Sequence, residues 1–176
     1  MYFSLICCTI SGHCEFDVAL VFDSSLEVVA NWNDVIVFAQ NLARTINSQA
    51  TIASFSRMTM HVYSASSTRI FGISQGFNLA QISDILMNLR INNPSSGSSG
   101  LYQALLDTRI QLRRSTQGRF NNIGKIQQAV IIFKHGRAGS DHLERSRELL
   151  RWFMNFGVQV VAIGRNQLGR FNGTTF

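Results

Sequence analysis

The chain has 176 residues, 45% of them hydrophobic, with one proline and three cysteines. This composition provides for a sizeable single core and excludes a proline-rich linker protein and a disulfide scaffold. Residues 1–99 hold four basic residues against six acidic ones and residues 100–176 hold twelve against four, so the net charge of +6 comes from the second half.

The first twelve residues do not fit a globular pattern. Residues 2–10 are an apolar run that is too short to span a bilayer, and the small residues Ser11 and Gly12 follow it. We interpret residues 1–12 as a leader, which is either a partial signal peptide or an extraneous segment. The folded domain is expected over residues 14–176, with no transmembrane segment.

A buried strand that ends in polar residues is the most informative feature of the chain. Residues 18–22, within a strand predicted over residues 16–22, have the length and β-branched content of a strand buried on both faces of a parallel sheet. Asp23, Ser25 and Glu27 follow at alternate positions. Ligands of open α/β sheets bind at the carboxyl ends of strands, and oxygen-bearing side chains suit a hard cation. A metal-type site is therefore predicted here.

The remaining elements alternate between helix and strand. Apolar spacing predicts helices over residues 26–47, 79–89, 99–113 and 141–156, the last ended by Gly157. Strands are predicted over residues 50–55, 58–63, 129–134 and 158–164, with 58–63 antiparallel at the sheet edge. This order predicts an α/β fold with a doubly wound, mostly parallel central sheet and helices on both faces.

Three segments resemble, in order, the metal-site motifs of the von Willebrand factor A-type domain. The segment from Asp23 to Glu27 resembles the opening Asp-x-Ser-x-Ser, with Glu27 at the second serine. The segment around Ser99 resembles the start of the helix that carries the metal-binding threonine. Residues 129–136 resemble the hydrophobic strand that ends in Thr-Asp-Gly, with His135 in place of the aspartate.

This resemblance covers nearly the whole chain and implies a Rossmann-like fold with a degenerate metal-ion-dependent adhesion site. The implied metal positions are Asp23, Ser25, Glu27, Ser99 and His135. Because Mg²⁺ prefers near-octahedral oxygen ligation, the exchange of an aspartate for a histidine weakens the site. The expected cofactor is therefore none or weakly bound Mg²⁺.

The resemblance also implies function. We expect a non-enzymatic, largely metal-independent protein- or matrix-binding module of an extracellular matrix or cell-adhesion protein, with collagen-like or other adhesion ligands. Two alternatives stay open: a metal-assisted (Mg²⁺) adhesion domain, and an intracellular α/β hydrolase or nucleotide-binding protein. The sequence has no nucleophile elbow, phosphate-binding loop or motif for specific nucleic-acid recognition.

Basic residues on or after one predicted helix form a candidate polyanion-binding surface. The guanidinium group suits sulfate and phosphate, so sulfated glycosaminoglycans are candidate partners, and ordinary solvated helix faces are the alternative. The residues are Arg109, Arg113, Arg114 and Arg119. Trp152, Phe153 and Phe156 stand at helical spacing, which favours core packing over a base-stacking platform.

The carboxyl end carries two further expectations. The sequon at Asn172 predicts glycosylation on an exposed tail and a secreted, extracellular matrix location. In the family a short helix, a sixth strand and a long helix follow the strand matched by residues 158–164. The resemblance therefore implies that the domain is truncated and lacks the last strand and helix. Residues 158–164 would then form an open sheet edge, and the chain would self-associate.

Overall fold

The computed structural model describes residues 15–25, 32–49, 57–73, 79–89, 100–116, 126–134, 140–165 and 171–175. The strands are β1 Glu15–Asp23, β2 Arg57–Tyr63, β3 Ser67–Phe71, β4 Ile126–Lys134, β5 Gln159–Arg165 and β6 Phe171–Thr175. The helices are α1 Trp32–Gln49, α2 Leu79–Asn88, α3 Leu101–Thr116 and α4 Ser140–Asn155.

The strands form one sheet in the order β3-β2-β1-β4-β5-β6. β1 pairs in parallel with both β2 and β4, and β4 pairs in parallel with β5. β3 and β6 are antiparallel strands at the two edges. The strand order reverses between β1 and β4, so the predicted doubly wound, mostly parallel sheet is confirmed.

Helices cover both faces of the sheet. On one face, called the α1 face, Phe16, Val18, Leu20 and Phe22 pack in one core with residues of α1 and α2. On the other, called the α3 face, apolar residues of the intervening strand positions pack with α3 and α4. The alternation of side chains along each strand thus produces two cores, one on each side of the sheet.

The prediction that residues 58–63 form an antiparallel edge strand is wrong. This segment belongs to β2, which is parallel to β1 and lies inside the sheet. Its polar residues Thr59 and His61 are both fully buried, as expected for an interior strand. The antiparallel edge is β3, which the sequence analysis did not identify, and the strand predicted at residues 50–55 lies outside the described residues.

The expectation of an open edge at residues 158–164 is also wrong, because a sixth strand follows. The backbone of β6 pairs antiparallel with β5, from Arg165 opposite Phe171 to Val161 opposite Thr175. This pairing satisfies peptide groups of β5 that would otherwise meet solvent. The segment gave no strand signal because Asn172 and Gly173 are weak strand formers.

Buried polar side chains lie beneath α3. Nε2 of His61 is 3.3 Å from the Thr59 hydroxyl oxygen, and that hydroxyl donates to the Phe71 carbonyl at 2.8 Å. Nδ1 of His61 lies 3.5 Å from an Asp107 carboxylate oxygen, and Arg69 approaches the same oxygen at 3.4 Å. Burial lowers the pKa of His61 to about 4, against the opposing effect of Asp107. His61 is therefore neutral at physiological pH.

Acidification should destabilise the domain through His61. Its pKa of about 4 in the folded chain lies below the ordinary value of 6.5, so the unfolded chain binds the proton first as the pH falls. The stabilisation present above pH 6.5 is lost between pH 6.5 and pH 4, by about 3 kcal/mol. Urea unfolding across this range should show a steep loss in the wild type and a shallower one in His61→Gln. If the free energy of unfolding fell equally with pH in the two proteins, the role given to His61 would be contradicted.

Candidate functional site

The structure describes two of the five predicted metal positions. Asp23 and Ser25 lie at the carboxyl end of β1, at the point where the strand order reverses. Glu27, Ser99 and His135 lie outside the described residues, so their part in the site stays a prediction.

Asp23 and its two neighbours form a locked turn at the end of β1. Asp23 is 2% exposed, and one of its carboxylate oxygens accepts the Ser25 backbone N–H at 2.9 Å. The backbone N–H and the hydroxyl of Ser24 both donate to the Tyr63 carbonyl, at 2.7 and 3.0 Å. The hydroxyl of Ser25 is buried and has no hydrogen-bond partner among the described residues.

Lys134 is the residue at this edge that the sequence analysis did not assign to the site. Parallel register places Phe22 opposite Phe133, and their rings stack at 4.3 Å on the α1 face. The next residue of each strand, Asp23 and Lys134, therefore projects to the α3 face. Burial lowers the pKa of Lys134, and the Asp23 carboxylate opposes this shift. The two opposite charges therefore attract each other across neighbouring strands.

Tyr63 lies beneath these two charges. It ends β2 opposite Asp23, it is fully buried, and its hydroxyl donates to the Phe133 carbonyl at 3.4 Å. Burial raises the pKa of Tyr63 well above its usual range, and the Asp23 carboxylate raises it further. Tyr63 therefore stays protonated and links the ends of β2 and β4 underneath the end of β1.

The described residues supply part of a divalent-cation site. They offer the Asp23 carboxylate and the Ser25 hydroxyl, with Lys134 on the same face of the sheet. Within the described ranges, which leave out Glu27, Ser99 and His135, no three His, Cys, Asp or Glu side chains group together as metal ligands would. A divalent ion needs several oxygen ligands, and a neighbouring positive charge opposes its binding.

Gly100 holds the start of α3 against the loop that follows β2. Its backbone N–H donates to the Ser64 carbonyl at 2.9 Å, and the Ser64 N–H donates to the Ser66 carbonyl at 2.9 Å. A Cβ atom at Gly100 would overlap the Ser66 carbonyl group. This close approach fixes the position of the start of α3 relative to the loop that follows β2.

The predicted polyanion-binding arginines do not form a uniform row. The Arg109 guanidinium lies 4.3 Å from the ring centroid of Trp152, so it is stacked rather than fully solvated. Arg113 and Arg114 are exposed on α3, and Arg119 lies outside the described residues. Binding of sulfated glycosaminoglycans by these residues stays a prediction.

The core prediction for the aromatic residues of α4 is correct for one and wrong for another. Phe153 is fully buried on the α3 face, whereas Phe156 is 68% exposed. α4 ends at Asn155, and Gly157 reverses the chain with a φ of 73°, so Phe156 stands at the open end of the helix.

Asn172 lies in β6 opposite Gly164, and its glycosylation stays a prediction.

No family model matches the chain, and no curated protein matches it in sequence. Solved structures do share its fold. Proximal thread matrix protein 1 from the mussel byssus, with a zinc-occupied MIDAS motif, gives a TM-score of 0.66 at 20% identity, over 87% of this chain and 36% of that one. The manganese-loaded TRAP protein of Plasmodium vivax gives 0.67 at 20% identity, over 87% and 58%. The vWF domain of the type V pili tip protein Mfa5 from Porphyromonas gingivalis gives 0.56 at 17%, over 72% and 39%.

These likenesses confirm the fold that the sequence motifs predicted. The chain spans between 36% and 58% of the length of these three structures. Among the described helices, none has the length and apolar character needed to cross a membrane.

Replacement of Gly100 by alanine should destabilise the domain. The added methyl group must displace the Ser66 carbonyl or the start of α3, at a cost of about 2 kcal/mol. Gly164→Ala is the matched control, since a Cβ there comes no closer than 4.0 Å to the Lys134 carbonyl, and it should change stability by less than about 0.5 kcal/mol. Urea unfolding measures both. Equal stability of the two variants would contradict this prediction, because the loop after β2 would then accommodate the added methyl group at no cost.

Proposed function

We propose that this chain, which has the von Willebrand factor A-type fold, is a non-enzymatic binding module of an extracellular matrix or cell-adhesion protein. We propose further that it binds its protein ligand without a resident metal. The observation that carries the proposal is the placement of Lys134 beside Asp23 at the edge where this fold binds ligands.

The charge balance at this edge is the physical basis of the metal independence. The positive charge of Lys134 acts on the Asp23 carboxylate. Even at an effective dielectric constant of about 20, a divalent and a monovalent cation about 5 Å apart repel each other by about 7 kcal/mol. Binding of a divalent ion at Asp23 would therefore require Lys134 to move away.

Two groups at this edge are suited to a protein ligand. The buried Ser25 hydroxyl lacks a partner among the described residues and can donate to a ligand oxygen. The half-buried Lys134 ammonium has three donors and can share one with an acidic or carbonyl group of the partner. An acidic ligand residue would then meet a lysine at this edge.

The nature of the similar proteins supports an adhesion role. Their names describe a thread matrix protein and a pili tip protein, and this chain shares the fold of both. We extend this role to the present chain and place it outside the cell, as a secreted or matrix component. The sequon at Asn172 supports that location.

The two alternatives have less support. The free Ser25 hydroxyl favours a metal-assisted adhesion site, but the adjacent Lys134 opposes it. A hydrolase needs an activated nucleophile, and the Tyr63 hydroxyl is held neutral by burial and by Asp23. The binding function therefore explains more of the described residues than either alternative.

The proposed function is tested by ligand binding with and without a chelator. The purified domain should retain a fibrillar collagen or another matrix protein in a solid-phase assay, and EDTA should change the affinity less than twofold. Lys134→Ala and Ser25→Ala should each weaken binding by about tenfold, since each removes a hydrogen-bond donor at the contact. Complete loss of binding in EDTA would contradict metal independence. Failure to bind any matrix protein, together with hydrolytic activity, would contradict the adhesion role.

Removal of the Lys134 charge should create metal affinity. Calorimetric titration with Mg²⁺ and Mn²⁺ should show no saturable site in the wild type at millimolar concentrations. Lys134→Thr removes the competing cation and should raise the affinity by at least about tenfold. Lys125→Thr, which removes the only other lysine of the chain, is the matched control and should change nothing. A tight wild-type site abolished by Asp23→Ala would contradict the account.

A further inference from the structure

A groove between α3 and α4 opens at the end of the sheet opposite Asp23. Its lining includes Gln128 near the start of β4, Val158 just before β5, and Phe156 just after α4. The register places Gln128 opposite Asp17, which precedes Asp23 by six residues of β1. At about 3.3 Å per residue this is a separation of roughly 20 Å along the strand. The groove is therefore separate from the Asp23 edge.

Three stacked groups form one wall of the groove. The Arg109 guanidinium lies 4.3 Å from the Trp152 ring centroid, and the Trp152 ring stacks on Phe156 at 4.3 Å with 29° between the planes. A guanidinium stacked on an aromatic face keeps its N–H donors in its own plane, where they are free to bind an anion. Among the described residues, no carboxylate lies within 4.0 Å of the Arg109 guanidinium.

The rest of the groove is apolar at the base and basic at the rim. Leu112 and Val158 are buried and form part of its base, and Arg113 contributes a second guanidinium. The groove has a volume of about 420 Å³, which is within the range of ligand pockets and admits one or two large side chains. Phe156 at 68% exposure is the most exposed large hydrophobic side chain of the described residues. An exposed aromatic next to a cation is typical of a protein contact surface.

We propose that this groove binds an acidic peptide segment of a partner protein, which inserts an aromatic side chain against the exposed ring of Phe156 while a carboxylate pairs with Arg109. The charge of the chain supports an acidic partner, because residues 100–176 hold twelve basic residues against four acidic ones. The apolar base favours a peptide over a sulfated polysaccharide, because a polysaccharide has no apolar side chain to fill it.

The proposal is tested with four blocked synthetic pentapeptides titrated calorimetrically into the full chain. The first has a central phenylalanine flanked on each side by two glutamates. The second has serine at the centre, the third has glutamine in place of glutamate, and the fourth has both changes. The first peptide should bind, and the second and third should each bind about tenfold more weakly. Equal affinity for the phenylalanine and serine peptides would overturn the aromatic insertion.

Variants locate the binding in the groove. Arg109→Gln and Phe156→Ser should each weaken the first peptide by about tenfold, and Arg145→Gln, at an exposed position of α4, should change it less than twofold. If Arg109→Gln fails to fold, Arg109→Lys replaces it in the test. This variant keeps the charge but loses the planar fork, so it should also weaken binding. Three results would overturn the proposal: no binding at millimolar peptide, competition by a heparin oligosaccharide that binds more tightly through Arg109, or self-association of the chain that Phe156→Ser abolishes.

Discussion

The burial of β1 on all sides is the constraint on which the rest of the structure depends. The strand pairs in parallel on both edges and packs into a separate core on each face. Its side chains must therefore be apolar on the α1 face, where Phe22 stacks on Phe133 of the neighbouring strand. Asp23 is the last residue of the strand, and the turn that follows is tied by Ser24 to the end of β2.

The same arrangement explains why the ligand-binding edge has its own internal cation. Because Phe22 and Phe133 share a register position and a face, Asp23 and Lys134 share the opposite face at the next position. A carboxylate that is 2% exposed needs polar or charged neighbours, and the Ser25 N–H and the positive charge of Lys134 are two of them. Two of the similar structures contain a metal ion, zinc in one and manganese in the other. In this chain we propose that a lysine performs the electrostatic part of that role.

Local patterns in the sequence were sufficient for the elements whose environment is uniform. Residues 18–22 of β1 are a continuous apolar run because both faces are buried, and α4 ends before Gly157 because that residue adopts a positive φ. Interior β2 was misplaced because its short spacing from the strand predicted at residues 50–55 favoured an antiparallel pair, whereas β2 pairs in parallel with β1. β6 was missed because its pairing depends on the open backbone of β5 rather than on its own residues.

The site was harder to predict than the fold, since its chemistry depends on which strands are neighbours. The sequence placed Asp23 and Ser25 at the carboxyl end of the first strand, and they lie there in the structure. The role of Lys134 follows only from the register between β1 and β4, which is a non-local property. The exposure of Phe156 likewise depends on where α4 ends relative to the sheet.

A crystal structure of the domain grown with manganese, with anomalous data collected for that ion, tests the central claim most directly. Our account predicts no anomalous peak beside Asp23, with the Lys134 side chain on the same face of the sheet as the Asp23 carboxylate. A manganese peak bound by Asp23 and the Ser25 hydroxyl, with Lys134 turned away from the site, would contradict it.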